Sequence, residues 1–168
     1  DVDGSGWVGE DGEFVVGADD GRVYAIRRDG SLKWSFVAQR DIRSSVGGDG
    51  RGRLYITAHD GFMYALSASG SVEWVFQTEA PIQSTPVVDA SGHVIVGGQD
   101  NALYMLSDKG ALRWRLDLPA DVDSSVALSP AGTLVVGCDD GHLRAYRVGG
   151  ATEQDAAPAQ DEGPSSTP

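Results

Sequence analysis

The sequence predicts an all-β fold, a partial β-propeller of about four blades of four-stranded antiparallel sheet, with the last blade lacking its outer strand. Three observations predict it: landmark residues return every 40 positions, apolar segments are short, and turn residues separate them. A repeat of roughly 40 residues is typical of propellers and solenoids. The landmarks include Asp20, Asp60, Asp100 and Asp140; Trp34, Trp74 and Trp114; and Gly30, Gly70, Gly110 and Gly150.

The first two strands of each repeat are predicted from short apolar segments. The first covers residues 84–88 in the third repeat, where Ser-Thr-Pro precedes two valines. The second is a run of three apolar residues, at 14–16, 54–56, 94–96 and 134–136. Unbroken apolar runs this short are typical of strands that are buried on both faces.

The third strand follows a turn dipeptide in every repeat. It is predicted at residues 23–26, 63–66, 103–106 and 143–146. The dipeptides tolerate positive φ, which predicts two-residue hairpin turns, and Asn is the next-best residue after Gly in that conformation. They are Asp20-Gly21, Asp60-Gly61, Asp100-Asn101 and Asp140-Gly141.

The fourth strand alternates apolar and polar residues. Leu32, Trp34 and Phe36 are predicted on one face, with Lys33 and Ser35 on the other, and the pattern returns around Trp74 and Trp114. A period of two with charge on one side predicts a half-buried outer strand. The strands of blade one are therefore expected near residues 4–8, 13–18, 22–28 and 31–37, and blades two and three follow by adding 40 and 80.

Composition divides the chain into two parts. Residues 1–148 carry the repeats, whereas 149–168 are rich in Ala, Pro, Ser and acidic residues and predict a disordered tail or linker. The formal net charge of −12 argues against a nucleic-acid partner. No apolar run approaches the roughly 20 residues of a membrane-spanning helix, so no membrane insertion is expected. A chain that begins with Asp1 rather than Met is expected to be a processed product or an excised fragment.

The repeats resemble those of pyrroloquinoline-quinone-like (PQQ-like) propellers over about residues 1–148. The matching letters are Gly-Arg-Val-Tyr-Ala-Ile at 21–26 and Asp-Gly-Ser-Leu-Lys-Trp at 29–34, which return in repeats two and three. Quinoprotein dehydrogenases usually carry one more residue between the Tyr and the Gly, and a Thr before that Gly, where this chain has Asp29, Ser69 and Lys109. The shorter spacing is more similar to the non-enzymatic members, which include the propeller lipoprotein of outer-membrane assembly. WD-type repeats fit less well, because no Trp-Asp pair ends a repeat.

The resemblance implies roles for residues as well as a fold. In these families the fourth-strand Trp docks onto the neighbouring blade, which implies a structural role for Trp34, Trp74 and Trp114. The large area of an indole supports the same role. The non-enzymatic members imply no quinone cofactor, and a periplasmic or extracellular location.

Candidate sites for chemistry are few. Asp1, Asp3 and Ser5 resemble the start of a calcium loop, but the twelfth position is Gly12 instead of a bidentate Glu, and the segment also matches 121–126 as the entry to a blade. The recurring Asp20, Asp60, Asp100 and Asp140 could form an acidic ring, but a local turn role explains them without a ligand.

The remaining titratable residues do not form a recognisable site in the sequence. His59, His93 and His142 fall at unrelated repeat positions, so no metal cluster is predicted. Cys138 aligns with small residues, which predicts a packing role. We therefore predict no catalytic, cofactor-binding or metal-binding residues.

Three functions remain open from the sequence. The first is a non-catalytic protein-interaction scaffold that is part of a larger propeller. The second is a fragment of a PQQ-dependent quinoprotein dehydrogenase, and the third is an extracytoplasmic sensor domain of a larger receptor or kinase. Four blades are about half of a common PQQ-like ring, so the open blade ends are expected to self-associate.

Overall fold

The computed structural model describes residues 1–148, which form fifteen β-strands in four antiparallel sheets. Blade one contains β1 (Trp7–Val8), β2 (Phe14–Gly17), β3 (Arg22–Ile26) and β4 (Leu32–Val37). Blade two contains β5 (Gly47–Gly48), β6 (Leu54–Thr57), β7 (Phe62–Leu66) and β8 (Val72–Gln77). Blade three contains β9 (Val87–Val88), β10 (Val94–Gly98), β11 (Ala102–Leu106) and β12 (Leu112–Asp117). Blade four contains β13 (Ala127–Leu128), β14 (Thr133–Cys138) and β15 (His142–Arg147).

Strands in each blade pair in chain order, from the short first strand to the outer strand. The third strand of blade one aligns Ala25 with Val15 on one side and with Trp34 on the other. The same register recurs forty residues later, where Ala65 pairs with Tyr55 and with Trp74. The predicted all-β propeller architecture is confirmed, including a last sheet that has three strands within residues 1–148.

The core lies between successive blades. Val15, Val23 and Ala25 of blade one pack against residues of blade two that include Leu54 and Ile56, and all five side chains are at most 1% exposed. The same positions, shifted by 40 and by 80, form the next two clusters. Each inner blade therefore buries both faces of its sheet, which explains why its second and third strands are apolar without alternation.

The two outermost blade faces lack this cover within residues 1–148. Phe14 is 41% exposed in blade one, whereas Leu54, Val94 and Leu134 at the same repeat position are at most 1% exposed. Leu143 in blade four is 75% exposed, and its counterparts Val23, Met63 and Leu103 are fully buried. The two end blades therefore carry apolar residues of the kind that interior faces bury, but at the ends these residues are exposed.

The first strand of each blade is shorter than predicted. The expected strand at 84–88 contains β-pairing only at Val87–Val88. Ser84 uses its hydroxyl to accept the N–H of Gly97 and to donate to the Gly97 carbonyl, and Pro86 has no N–H for a ladder. Side-chain hydrogen bonds therefore replace the ladder over the first half of the segment.

The predicted face of Leu32 is wrong. The pairing register shifts between Ala25 and Ile26, so that Ala25 faces Trp34 whereas Ile26 faces Leu32. This β-bulge places Leu32 on the opposite face from Trp34, where it is 55% exposed. Val72 and Leu112 follow the same bulge and are 47% and 52% exposed.

The predicted two-residue hairpin turns are also wrong in detail. Gly98 still pairs with Ala102, so the loop contains three residues, and Gly21, Gly61, Asn101 and Gly141 end the equivalent loops. These four have φ between 59° and 83°, whereas Asp20 and its counterparts do not have positive φ. A turn followed by a left-handed residue is the usual three-residue hairpin.

Two further predictions concern the chain as a whole. The predicted tail at 149–168 lies outside the described residues. Within the described residues, no helix is long and apolar enough to cross a membrane.

Candidate functional site

The turn aspartates hold the hairpins and the blades together. In three of the four turns, Oδ1 of the aspartate accepts the N–H of the residue two positions later, as at Asp60 and Phe62, where the distance is 2.9 Å. In the remaining turn, Oδ1 of Asp100 is buried without a partner. Oδ2 of Asp60 accepts the hydroxyl of Tyr64 at 2.7 Å, and Asp20 and Asp100 bind Tyr24 and Tyr104 in the same way. Asp20, Asp60 and Asp100 therefore tie the turn to the third strand.

The bond from Oδ1 is thus present at Asp20, Asp60 and Asp140, while Asp100 is held through Oδ2 alone. Oδ2 of Asp100 also accepts the N–H of Glu79 from the preceding blade at 3.0 Å. Asp60 accepts the N–H of Gln39 in the same way. Asp60 and Asp100 therefore connect successive blades, and the Tyr four residues after each Asp is the sequence signal for this arrangement.

Blade four replaces this arrangement with an ion pair. Arg144 stands where the other blades have Tyr, and its guanidinium binds both oxygens of Asp140, at 2.8 and 2.5 Å. Pro119 occupies the position of Gln39 and Glu79, so no N–H is available to bridge from blade three. Arg144 compensates for the loss of both donors. Its guanidinium donates two hydrogen bonds to Asp140, in place of the tyrosine hydroxyl and of the N–H from the preceding blade.

These contacts shift the pKa values of the groups involved. Burial, followed by the hydrogen bond to the neighbouring aspartate, raises the pKa of Tyr64 and of Tyr104 well above the usual tyrosine value. In the more exposed blade one, the hydrogen bond from Tyr24 is the main cause that lowers the pKa of Asp20. The Arg144 guanidinium holds the pKa of Asp140 below its usual range.

The outer-strand tryptophans reach the next blade. Nε1–H of Trp34 donates to the Ala68 carbonyl, and that of Trp74 donates to the Asp108 carbonyl, both at 3.0 Å. A Cβ atom on Gly70 would lie 2.6 Å from the ring of Trp34, and Gly110 has the same relation to Trp74. Trp114 packs in the cluster between blades three and four.

A row of hydroxyl groups also joins the blades, and sequence reasoning missed it. The N–H of Ser5 donates to the Ser45 hydroxyl, that of Ser45 to Thr85, and that of Thr85 to Ser125, at 2.9 to 3.1 Å. The 40-residue spacing of these hydroxyl residues in the sequence is the signal that could have found them. Each bond links one blade to the next along the inner strands.

The weak calcium candidate has other contacts in the structure. Asp1 and Asp3 are exposed, and the carbonyl of Asp1 accepts the N–H of Asp19. The carbonyls of Asp41, Pro81 and Asp121 accept equivalent bonds in the later blades. Across residues 1–148, no group of three or more His, Cys, Asp or Glu side chains is arranged to hold a metal ion.

The histidines and the cysteine lie apart. His93 bonds to Asp89 at 2.9 Å, His59 lies 3.4 Å from Asp41, and the ring of His142 lies near Asp140. Cys138 is buried in the cluster between blades three and four, and its thiol donates to the Ala120 carbonyl.

One end of the stack carries the turns and the segments that connect successive blades. Residues 18–21 meet residues 38–42 through the bonds of Ala38 to Gly21 and of Ile42 to Ala18, and blades two and three repeat these bonds. We call this surface the turn face: residues 1–6, 38–46, 78–86 and 118–126 with the loops 18–21, 58–61, 98–101 and 138–141. Beyond the four turn aspartates its charged residues are mainly acidic, namely Asp1, Asp3, Asp19, Asp41, Glu79, Asp121, Asp123 and Asp139, with Arg40 and Arg43.

A groove of about 370 Å³ lies at the opposite end, between blades two and three. Its wall contains Arg53, which binds Glu73 and the Asp108 carbonyl. The Asp108 carbonyl also accepts the indole of Trp74. Because Arg53 and Glu73 are engaged in these bonds, we interpret the groove as part of the junction between the blades.

The comparisons with known proteins agree with this geometry. The sequence profile of the outer membrane protein assembly factor BamB, a PQQ-type repeat family, matches residues 8–165. This chain belongs to that family. No curated protein matches the chain at a significant level.

Two solved structures show the same fold. BamB from Moraxella catarrhalis superposes with a TM-score of 0.73 at 20% sequence identity, over 86% of this chain and 46% of BamB. The WD40 β-propeller domain of Doa1 superposes with a TM-score of 0.73 at 17% identity, over 83% of this chain and 48% of that one. The chain thus spans about half the length of the structures that it matches.

Proposed function

We propose that this chain is a non-catalytic scaffold, part of a larger propeller, that binds another protein through the turn face. Membership of the BamB family is the observation that supports the proposal most directly. The description of that family, an outer membrane protein assembly factor, also supports a partner and a location in the cell envelope.

The turn face supports the proposal because its residues divide into two sets. The aspartates at the four turns repeat without change, and each binds a side chain of the third strand. Asp20, Asp60 and Asp140 also accept an N–H at their own turn. The position just before each aspartate changes from blade to blade, as Asp19, His59, Gln99 and Asp139. Loops on a rigid scaffold that differ in chemistry at equivalent positions can provide specific binding.

The charge of the turn face indicates the kind of partner. Asp139 is exposed, and Asp121 and Asp123 lie beside it in the same blade. A surface with this excess of carboxylates attracts a basic segment and steers its approach. We therefore expect binding to weaken as the salt concentration rises.

A photo-crosslinking amino acid at position 139 or at position 91 tests the location. Ser91 is exposed in a turn at the opposite end of blade three, so it provides a matched control. We expect crosslinks to a protein partner from position 139 and few from position 91. Equal yields from the two positions would contradict the assignment to the turn face.

Charge reversal then tests the interaction with the purified partner. Asp139→Lys and Asp123→Lys are expected to weaken binding, whereas Asp11→Lys, an exposed residue near the opposite end, is expected to leave it unchanged. Incubation with pyrroloquinoline quinone and calcium tests the alternative of a dehydrogenase fragment. A bound chromophore with dye reduction by alcohols or sugars would overturn the proposal of a non-catalytic scaffold.

A further inference from the structure

The outer edge of β15 is an unpaired strand edge within residues 1–148. β15 pairs with β14 on its inner side, where Ala145 lies opposite Val135. Its counterparts β3, β7 and β11 each lie between two strands, whereas among the described residues β15 has a partner on one side only. The free backbone N–H and C=O groups of such an edge can accept an added strand.

Two side chains of β15, Leu143 and Ala145, are of the apolar types that the complete blades cover. Leu143 is 75% exposed, although Val23, Met63 and Leu103 at the same position are fully buried. Ala145 is half-buried, whereas Ala65 is fully buried. Blade four therefore exposes apolar surface that the other three blades cover.

The three complete blades define what covers this position. Trp34, Trp74 and Trp114 lie opposite Ala25, Ala65 and Met105. Two residues further along, Phe36, Phe76 and Leu116 lie opposite Val23, Met63 and Leu103. In this register, an added strand would present a Trp to Ala145 and a Phe or Leu to Leu143.

We propose that β15 binds an antiparallel strand of a partner protein that carries the motif Trp-x-Phe or Trp-x-Leu. The indole covers Ala145 and Val135, and the second side chain covers Leu143. Residues 149–168 do not contain the motif, and Gln154 and Ala156 stand at the positions that correspond to Trp and Phe. This site is separate from the turn face, and binding at β15 does not require that the turn face binds a partner.

A peptide with the sequence of residues 31–38 is a direct probe of this edge, because it carries Trp34 and Phe36 in the required spacing. Fluorescence anisotropy of the labelled peptide is measured during titration with the full chain, at concentrations where sedimentation shows one species. We expect saturable binding. A peptide with Trp34→Ser and Phe36→Ser is expected to bind at least about tenfold more weakly, a difference of roughly 1.4 kcal/mol.

Leu143→Glu in the full chain tests the position of the added strand. Because Leu143 is largely exposed, the change is expected to leave the circular dichroism spectrum unaltered and to weaken peptide binding about tenfold. Leu32→Glu is the matched control, since Leu32 is also exposed but lies on β4. An equal loss of affinity in both variants, or no saturable binding to the unmodified chain, would overturn the proposal.

Hydrogen exchange locates the bound peptide. We expect the peptide to slow exchange of the backbone amides of His142–Arg147 while leaving β4, β8 and β12 unchanged. Protection of those outer strands, or of the face around Phe14, in place of β15 would also overturn the proposal.

Discussion

Gly70 and Gly110 lie directly beneath an indole ring of the preceding blade, and each has positive φ. Their missing side chains make room for Trp34 and Trp74, since an added Cβ would lie 2.6 Å from a ring atom. Gly30 has the same conformation, with φ of 84°, but no atom lies within 4 Å of its added Cβ. The three glycines thus have the same backbone conformation, and only Gly70 and Gly110 contact an indole ring.

Asparagine at these three positions separates the contact from the conformation, because Asn101 shows that Asn adopts positive φ in this protein. Gly70→Asn and Gly110→Asn are expected to lower the free energy of unfolding by about 1 to 3 kcal/mol through overpacking. Gly30→Asn is the control and is expected to change it by less than about 1 kcal/mol. Urea unfolding measures all three, and equal losses would contradict the docking of the indoles.

Tyr64 and Tyr104 are expected to make the stability fall at alkaline pH. Their pKa values are raised in the folded state, so the folded protein keeps protons that the unfolded chain has lost above pH ~10. The stabilisation is therefore complete below that pH and is lost as the pH rises through the folded pKa. Tyr64→Phe and Tyr104→Phe together should reduce the fall in urea midpoint between about pH 9 and 11.

Tyr24→Phe provides the comparison for this experiment. Tyr24 is half-buried and its pKa is raised mainly by the hydrogen bond to Asp20. We expect its replacement to change the alkaline fall less than the double replacement does. If the urea midpoint of the double variant fell with pH as steeply as that of the unchanged protein, the assigned role of the two buried tyrosines would be contradicted.

Single residues were predicted from the sequence where a local rule applies. Asn101 could be assigned to a positive φ because it replaces a repeated Gly, and its φ is 59°. The second contacts of Asp60 and Asp100 could not be predicted, because Gln39 and Glu79 are distant in sequence and approach only when blades stack. Local turn chemistry gave no indication of a bridge between blades.

Each first strand is attached to the second by a serine as well as by its short ladder. Ser84 is fully buried and makes two bonds to the backbone of Gly97, at 2.7 and 2.8 Å. Ser124 makes the same bonds to Gly137 at 2.8 and 3.0 Å, but it is exposed. The two serines therefore make the same hydrogen bonds and differ in how deeply they are buried.

Replacement of these two serines by alanine is expected to have unequal effects. Ser84→Ala leaves the buried N–H of Gly97 without an acceptor and should cost about 1 to 3 kcal/mol. Ser124→Ala should cost at most about 1 kcal/mol, because water can reach the freed groups. Thermal or urea unfolding checks the pair, and an equal or larger effect at Ser124 would contradict the account.

Strand identity followed from the sequence, whereas strand detail did not. Alternation around Trp34 predicted the outer strand, and β4 covers Leu32–Val37. The bulge that moves Leu32 to the other face leaves no trace in the alternation of apolar and polar residues, because it depends on pairing with Ile26. The first strands were predicted too long because serine hydroxyls compete for the same backbone groups.

The exposed blade ends predict association of the isolated chain. Phe14 on blade one and Leu143 on blade four retain apolar surface that interior blades bury. Sedimentation is expected to show a dimer or larger species, and Phe14→Glu is expected to shift it toward monomer. Val37→Glu, at an exposed outer-strand position, is the control. A monodisperse monomer at high concentration would contradict this prediction.

The number of blades and their order were predictable because a 40-residue repeat leaves few architectures. The cover of the two ends was not predictable, since residues 1–148 leave Phe14 and Leu143 exposed. Leu143 is an example, because an apolar residue at this repeat position predicts burial, yet the side chain is 75% exposed.

The central claim is that successive blades are joined by indoles that donate to the backbone of the next blade. Hydrogen exchange of the indole N–H groups, followed by NMR, tests it most directly. Trp34 and Trp74 donate to carbonyls at 3.0 Å, so their indole protons are expected to exchange at least about tenfold more slowly than in the urea-unfolded chain. Exchange of both protons at the unfolded rate under native conditions would contradict the claim.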